Sequence, residues 1–158
     1  MAKKKKAGKR APKKDRSPHI AVVNGPNLNL LGTREPEVYG DETLEDIQSR
    51  LEALAAELEV ELSFIQSNHE GVLLDAVHDF ACEIDGVIVN AGALSHTSIA
   101  LRDALVGIGV PFVEVHLSNV FARESFRHRS VLADVALGVS AGFGAMPYEL
   151  ARGAVLRR

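Results

Sequence analysis

Tryptophan is absent from this chain of 158 residues, cysteine occurs once, and no lysine occurs after position 14. Each scarcity removes a class of chemistry. The single cysteine, Cys82, permits no intrachain disulfide and no thiolate metal cluster within one copy. With apolar neighbours it is expected to be a small core residue on a helix rather than a reactive thiol. The lysines stand at 3–6, 9, 13 and 14, so a buried amine of lowered pKa, which an imine mechanism requires, has no source in the rest of the chain. No apolar run approaches the roughly 20 residues that cross a bilayer, and no apolar segment follows the basic N-terminus as in a secretory leader. No membrane contact and a cytoplasmic location are expected.

The formal net charge of −3 conceals a division. Residues 1–17 carry nine Lys or Arg against one Asp, and the remainder carries nine basic and twenty acidic side chains. Residues 1–17 have too few apolar side chains to bury and are expected to form a disordered basic arm. No aromatic residue interleaves its charges, so the arm reads as a solvated extension rather than a nucleic-acid contact. A composition of 46% hydrophobic and 25% charged residues is that of a globular protein, and residues 18–158 are expected to form one domain.

Within that domain apolar runs alternate with helical periodicity. Strands are expected at 19–23, 60–66, 86–90, 110–115 and 136–140. Helices are expected after Thr43, a capping residue followed by Leu44, Ile47, Leu51, Leu54 and Leu58 on one face, and at 71–82, 97–108 and 146–156, with a helical turn at 122–126. Strands that are apolar on both faces imply a sheet covered on both sides. The pattern predicts a three-layer α/β/α sandwich of flavodoxin-like type with a five-stranded parallel sheet.

Ligands of such sheets bind at the carboxyl ends of the strands. Those ends carry Asn24-Gly-Pro-Asn27, Gln66-Ser-Asn-His69, Asn90-Ala-Gly-Ala-Leu-Ser-His96 and Glu114-Val-His-Leu-Ser-Asn119, a concentration of amides and imidazoles that a plain scaffold does not need. The chain has no Gly-x-Gly-x-x-Gly and no Walker lysine. Its six histidines are scattered without a ligand pair facing an acidic partner, so no metal site is expected. Acid/base chemistry without a cofactor remains. The long segment 24–40 holds Arg34 and Tyr39. A guanidinium beside a phenol favours phenolate and hence a base; alternatively Tyr39 packs its ring under the segment and Arg34 pairs with Glu35 or Glu37. His116 and Glu114 lie two apart, on one side of a regular strand, and His116 is either an acid for a leaving hydroxyl or a hydrogen-bonded strand-end residue. Ser118 and the backbone after His116 could bind a carboxylate. Arg102 and Asp103 read as a solvated pair.

Segments 24–40, 90–98 and 114–119, in this order, resemble type II 3-dehydroquinate dehydratase, and the resemblance runs from about residue 19 to residue 150. Where that family usually has paired glycines this chain has Gly92-Ala93. The resemblance implies a lyase that dehydrates 3-dehydroquinate to 3-dehydroshikimate by anti elimination through an enolate, with no Schiff base, metal or organic cofactor. The same dehydration serves aromatic amino acid biosynthesis and quinate catabolism. By resemblance Tyr39 is the base at C2, Arg34 promotes its ionisation, and Asn27 holds a water that stabilises the enolate. His116 is the acid for the C1 hydroxyl, oriented by Glu114. Asn90, Leu117, Ser118, His96 and Arg127 contact substrate. Asp103 approaches the site of a neighbouring subunit, in trimers assembled into a dodecamer. Two other readings of the residues are a flavodoxin-like mononucleotide-binding or signalling module and a nucleic-acid-associated protein using the basic arm.

Overall fold

The computed structural model describes residues 16–33 and 41–156. The basic arm up to residue 15 lies outside the described residues, as do Arg34 and Tyr39. The described part opens with Arg16, whose guanidinium lies 2.9 Å from Asp85. Asp85 also accepts the backbone N–H of His19 at 3.0 Å, so one carboxylate ties the entry of the first strand to the turn before the third.

Five parallel strands form the sheet: β1 His19–Asn24, β2 Glu61–Gln66, β3 Gly86–Asn90, β4 Phe112–His116 and β5 Gly138–Ala141, in the order β2-β1-β3-β4-β5. Four helices connect or follow them: α1 Leu44–Glu57, α2 Glu70–Phe80, α3 Ile99–Ile108 and α4 Met146–Leu156. Alternate strand residues face opposite layers. Ile20, Val22, Ile88, Val113 and Val115 pack with Ile47 and Leu51 of α1 and Tyr148 and Ala151 of α4. Ala21, Val23, Val87, Val89 and Phe112 pack with Leu73 and Val77 of α2 and Leu101 and Leu105 of α3. The expected three-layer flavodoxin-like architecture is the one observed. Among the described residues no helix is long and apolar enough to cross a membrane.

Local differences have local causes. Strand β4 begins at Phe112 rather than 110, after Pro111, which has no N–H to give to a ladder. The turn expected at 122–126 is two 3₁₀ turns, Val120–Ala122 and Ser125–Arg127. Cys82 corrects the expectation of a core position: α2 ends at Phe80 and Cys82 is exposed in the following turn. The buried face of α2 is Leu73 and Val77, one turn apart, and the chain leaves the helix before residue 82 could continue it. In α1 the buried face is Ile47, Leu51 and Ala55, while Leu58 stands at the C-cap, about half exposed.

Thr43 caps α1 as expected and forms a reciprocal box with Asp46. Its hydroxyl accepts the Asp46 N–H at 3.1 Å, and its backbone N–H donates to Asp46 Oδ2 at 2.9 Å. The Thr43 hydroxyl, and secondarily its backbone N–H, hold the Asp46 carboxyl below its ordinary value of 3.8. A lowered acid stabilises the fold wherever it is ionised in both states, so this contribution is whole above pH 3.8 and is lost as pH falls through the lowered value. Thr43→Ala is expected to cost about 1 kcal/mol at neutral pH, seen as a lower melting temperature. The gap to wild type should narrow in acid, and a gap independent of pH would mean that the Asp46 carboxylate takes no part in the cap.

Candidate active site

The carboxyl ends of β1 and β3 are brought together by backbone contact. Gly25 N–H donates to Asn90 O at 2.8 Å, and a Cβ at Gly25 would stand 2.2 Å from the Ala91 carbonyl oxygen. Only glycine permits the two turns to touch at that point. After Gly25 the chain turns through Asn27, at φ 67°, into a 3₁₀ turn over Leu28–Leu30. The Asn27 N–H donates to Asn68 Oδ1 at 2.8 Å, and Gln66 Nε2 donates to Gly25 O at 3.2 Å. Residues at the end of β2 thus hold the loop that follows β1.

Beneath this contact lies a buried polar bridge. Tyr148 of α4 donates its hydroxyl to Asn24 Oδ1 at 2.6 Å and accepts Asn90 Nδ2 at 2.8 Å. All three side chains are buried. Burial pushes the Tyr148 phenol well above its ordinary range, in keeping with a neutral hydroxyl that donates to Asn24. The bridge also settles the Asn90 amide: its nitrogen points to Tyr148 and its oxygen to the Gly92 N–H, 3.3 Å away.

Strand β4 directs Phe112, Glu114 and His116 to the α2/α3 side by its period of two. Glu114 has no solvent exposure, and its Oε1 lies 2.8 Å from His116 Nε2. Ser130 Oγ lies 2.7 and 2.9 Å from the two carboxylate oxygens. His96 lies nearly parallel to His116, centroids 6.3 Å apart and planes at 12°. Its Nδ1 is 2.8 Å from the Arg129 carbonyl, which can only accept, so His96 carries its proton on Nδ1 and leaves Nε2 to the site. Beyond β4, the Leu117 and Ser118 carbonyls accept the N–H groups of Gly144 and Gly142, at 3.2 and 3.1 Å.

These elements enclose a cavity of about 110 Å³. Asn27, Asn90, His96, His116, Leu117 and Ser118, which lie at or after strand ends, line it, as does Arg127. Glu114 stands behind His116. Asp103 is not part of it: that residue is exposed on α3 and borders a groove shared with Leu74 and His78 of α2. Its neighbour Arg102 does not pair with it in solvent as expected. Arg102 grips Asp134 and donates to the Val131 carbonyl at 2.5 Å, which raises the Arg102 pKa and lowers that of Asp134.

Arg123 also lines the cavity and was not singled out by sequence, although it lies four residues before Arg127. Arg127 donates to Glu124 at 2.8 Å and sits 5.1 Å over the Phe126 ring. The Glu124 carboxyl is held below its usual range by its own backbone N–H and then by Arg127. The cavity wall carries two arginines, Arg123 and Arg127, and both guanidiniums lie beside the Glu124 carboxylate, at 3.6 and 2.8 Å. Tyr148 and Ser130 were also missed. Tyr148 sits among the apolar residues of α4, and the partners of Ser130 are distant in sequence.

Residues 18–156 match the family model described as dehydroquinase class II. The chain is 58% identical over 132 residues to a 3-dehydroquinate dehydratase of Prochlorococcus marinus, covering 84% of this chain and 91% of that protein. It is 57% identical over 136 residues to a catabolic 3-dehydroquinase of Pyricularia oryzae, covering 85% and 87%. The crystal structure of type II dehydroquinase from Butyrivibrio crossotus superposes with a TM-score of 0.87 at 39% identity, over 89% of this chain and 98% of that one.

The Tyr148 bridge has a measurable consequence. Tyr148→Phe removes the shared hydroxyl and leaves the amides of Asn24 and Asn90 short of a partner in a buried setting. A loss of roughly 1–3 kcal/mol is expected in urea unfolding with an unchanged slope. Stability equal to wild type would mean that the two amides satisfy each other without it.

Proposed function

Because the chain belongs to the class II dehydroquinase family, we propose that it dehydrates 3-dehydroquinate to 3-dehydroshikimate by stepwise anti elimination through an enolate. The observation that carries this reading is the buried Glu114–His116 pair at 2.8 Å, placed at the end of β4 where His116 borders a cavity flanked by Asn90, Ser118 and Arg127.

Tyr39, as phenolate favoured by the Arg34 guanidinium, takes the C2 proton next to the ketone. The electron pair moves onto the carbonyl oxygen, and a water held by Asn27 stabilises the enolate. Asn27 suits that task because Asn68 fixes its backbone at the edge of the cavity. In the second step the pair returns, the C1–O bond breaks, and His116 gives its proton to the departing hydroxyl, which leaves as water. Glu114 orients the imidazole. The substrate carboxylate and hydroxyls are met by Asn90, Ser118 and the backbone of Leu117, and the ring hydroxyls by His96 and Arg127. Arg123 and Arg127, which share Glu124 as ion partner, are cations of the cavity wall. Asp103, which does not border its own cavity, is assigned to the site of a neighbouring copy, in trimers assembled into a dodecamer. The reaction places the enzyme in the shikimate or quinate pathway and needs no cofactor.

The test is addition of 3-dehydroquinate with ultraviolet detection of the conjugated enone, in parallel with enzyme treated with borohydride in the presence of substrate. Wild type should form the enone and keep its activity after borohydride, since no imine is formed to be reduced. Tyr39→Phe should lower turnover at least ~10²-fold with circular dichroism unchanged. No enone from the wild type would overturn the reaction, and wild-type turnover in the Tyr39 variant would overturn the assignment of the base.

A further inference from the structure

We propose that Ser130 is a positioning residue that fixes the proton of His116 on Nε2, through Glu114, so that Nδ1 is the atom offered to the substrate. The inference rests on the assignment of His116 as the acid in the dehydration above.

A serine hydroxyl has one proton and two lone pairs. The N–H groups of Leu132 and Ala133 approach Ser130 Oγ at 3.0 and 3.2 Å and take the lone pairs. The hydroxyl proton is therefore free only for Glu114, whose oxygens lie 2.7 and 2.9 Å away. Glu114 has no exposure to water, so its partners are the whole of its solvation. A protonated Glu114 could not give its proton to Ser130, whose acceptor sites are filled, and would have to give it to His116 Nε2. A Glu114 carboxylate instead accepts from Ser130 and from His116 Nε2–H together, with the short contacts expected of charge-assisted bonds. Ser130 donates in either case but gains most against the carboxylate, and so favours the second arrangement.

Among the described residues His116 Nδ1 has no hydrogen-bond partner, and the ring borders the cavity. With Nε2–H committed to Glu114, Nδ1 is where the imidazolium carries the transferable proton and where neutral imidazole has its lone pair. The stacked His96 carries its proton on the opposite atom, Nδ1, because of the Arg129 carbonyl. The two rings therefore present different nitrogens to the site, and backbone-anchored groups decide both. Ser130 is itself anchored: Arg102 holds the Val131 carbonyl and Asp134, so the segment keeps a second attachment when the hydroxyl is removed.

The test combines steady-state kinetics with ¹⁵N chemical shifts of the histidine rings in Ser130→Ala, Ser130→Cys and Ser130→Thr. Wild type should show His116 as the Nε2–H tautomer. Ser130→Ala should lose that single tautomer and lower kcat about 10-fold, a fraction of what a general acid supplies, with KM changed less than about twofold. Ser130→Cys keeps the side-chain size with a weak donor and should fall between, which secures the comparison if the alanine variant folds poorly. Ser130→Thr keeps the hydroxyl and should restore both readouts. A wild-type tautomer and kcat in the alanine and cysteine variants would overturn the proposal, as would a fall confined to KM or an equal fall in the threonine variant. If wild type forms no enone the functional reading fails, while the ring shifts still report whether Ser130 governs His116.

Discussion

A carboxylate without solvent in the middle of a buried strand is the constraint around which the active edge of this protein is organised. Glu114 has 0% exposure on β4, with Val89 of β3 and Val139 of β5 as its register partners. An isolated charge there would cost several kcal/mol after relaxation, and the sheet offers it nothing, because its backbone groups serve the ladder. Its donors come from His116 two residues on and Ser130 sixteen residues on. The loop that carries Ser130 must then be held against the sheet, and Arg102 of α3 does this through Asp134 and the Val131 carbonyl. One buried charge thus specifies the course of a loop and the ion pair that secures it.

The other half of the cavity is set by sterics and hydrogen bonding without charge. Gly25 and Gly92 let the turns after β1 and β3 approach to contact distance, the second at φ 57° with the Pro26 carbonyl 3.1 Å from where a Cβ would be. Tyr148 then bridges the two strand ends from below. Rigidity at these turns matters because Asn90 takes its position from the buried bridge to Tyr148 and Asn27 from its backbone N–H, held by Asn68. Small displacements of positioning groups are costly to a proton transfer that needs near-contact geometry.

Much of this was legible in the sequence, for identifiable reasons. Period-two and period-3.6 patterns found all five strands and four helices, since core burial imposes those periods on each element separately. The Glu114–His116 pair was legible because both lie on one strand, where geometry follows from numbering. Thr43 was legible because a cap and its partner are three residues apart. What depends on tertiary closure was not. Tyr148 and Asn24 are separated by 124 positions, and nothing local distinguishes Tyr148 from a core aromatic. Arg102 pairs with Asp134 across 32 positions instead of with the adjacent Asp103, because neighbours on a helix point in different directions. Cys82 looked like core by composition, yet the end of α2 leaves it outside.

The described cavity wall also limits which of its groups can perform each proton transfer in the proposed reaction. Its ionisable side chains are two arginines and two imidazoles. Arginine does not give up its proton in proteins. His96 has Nδ1 committed to a carbonyl and His116 has Nε2 committed to a carboxylate. In the proposed reaction His116, oriented by Glu114, gives its proton to the leaving hydroxyl. The proposed base is Tyr39, in segment 34–40, which also contains Glu35 and Glu37 and lies outside the described residues. A carbon acid beside a ketone is weak, and base strength decides among the three. An ordinary phenol has a pKa near 10 against about 4.3 for glutamate, a difference of several powers of ten in proton affinity. A phenolate kept ionised by a guanidinium retains part of that advantage, which is the chemical ground for proposing Tyr39 with Arg34 rather than either carboxylate.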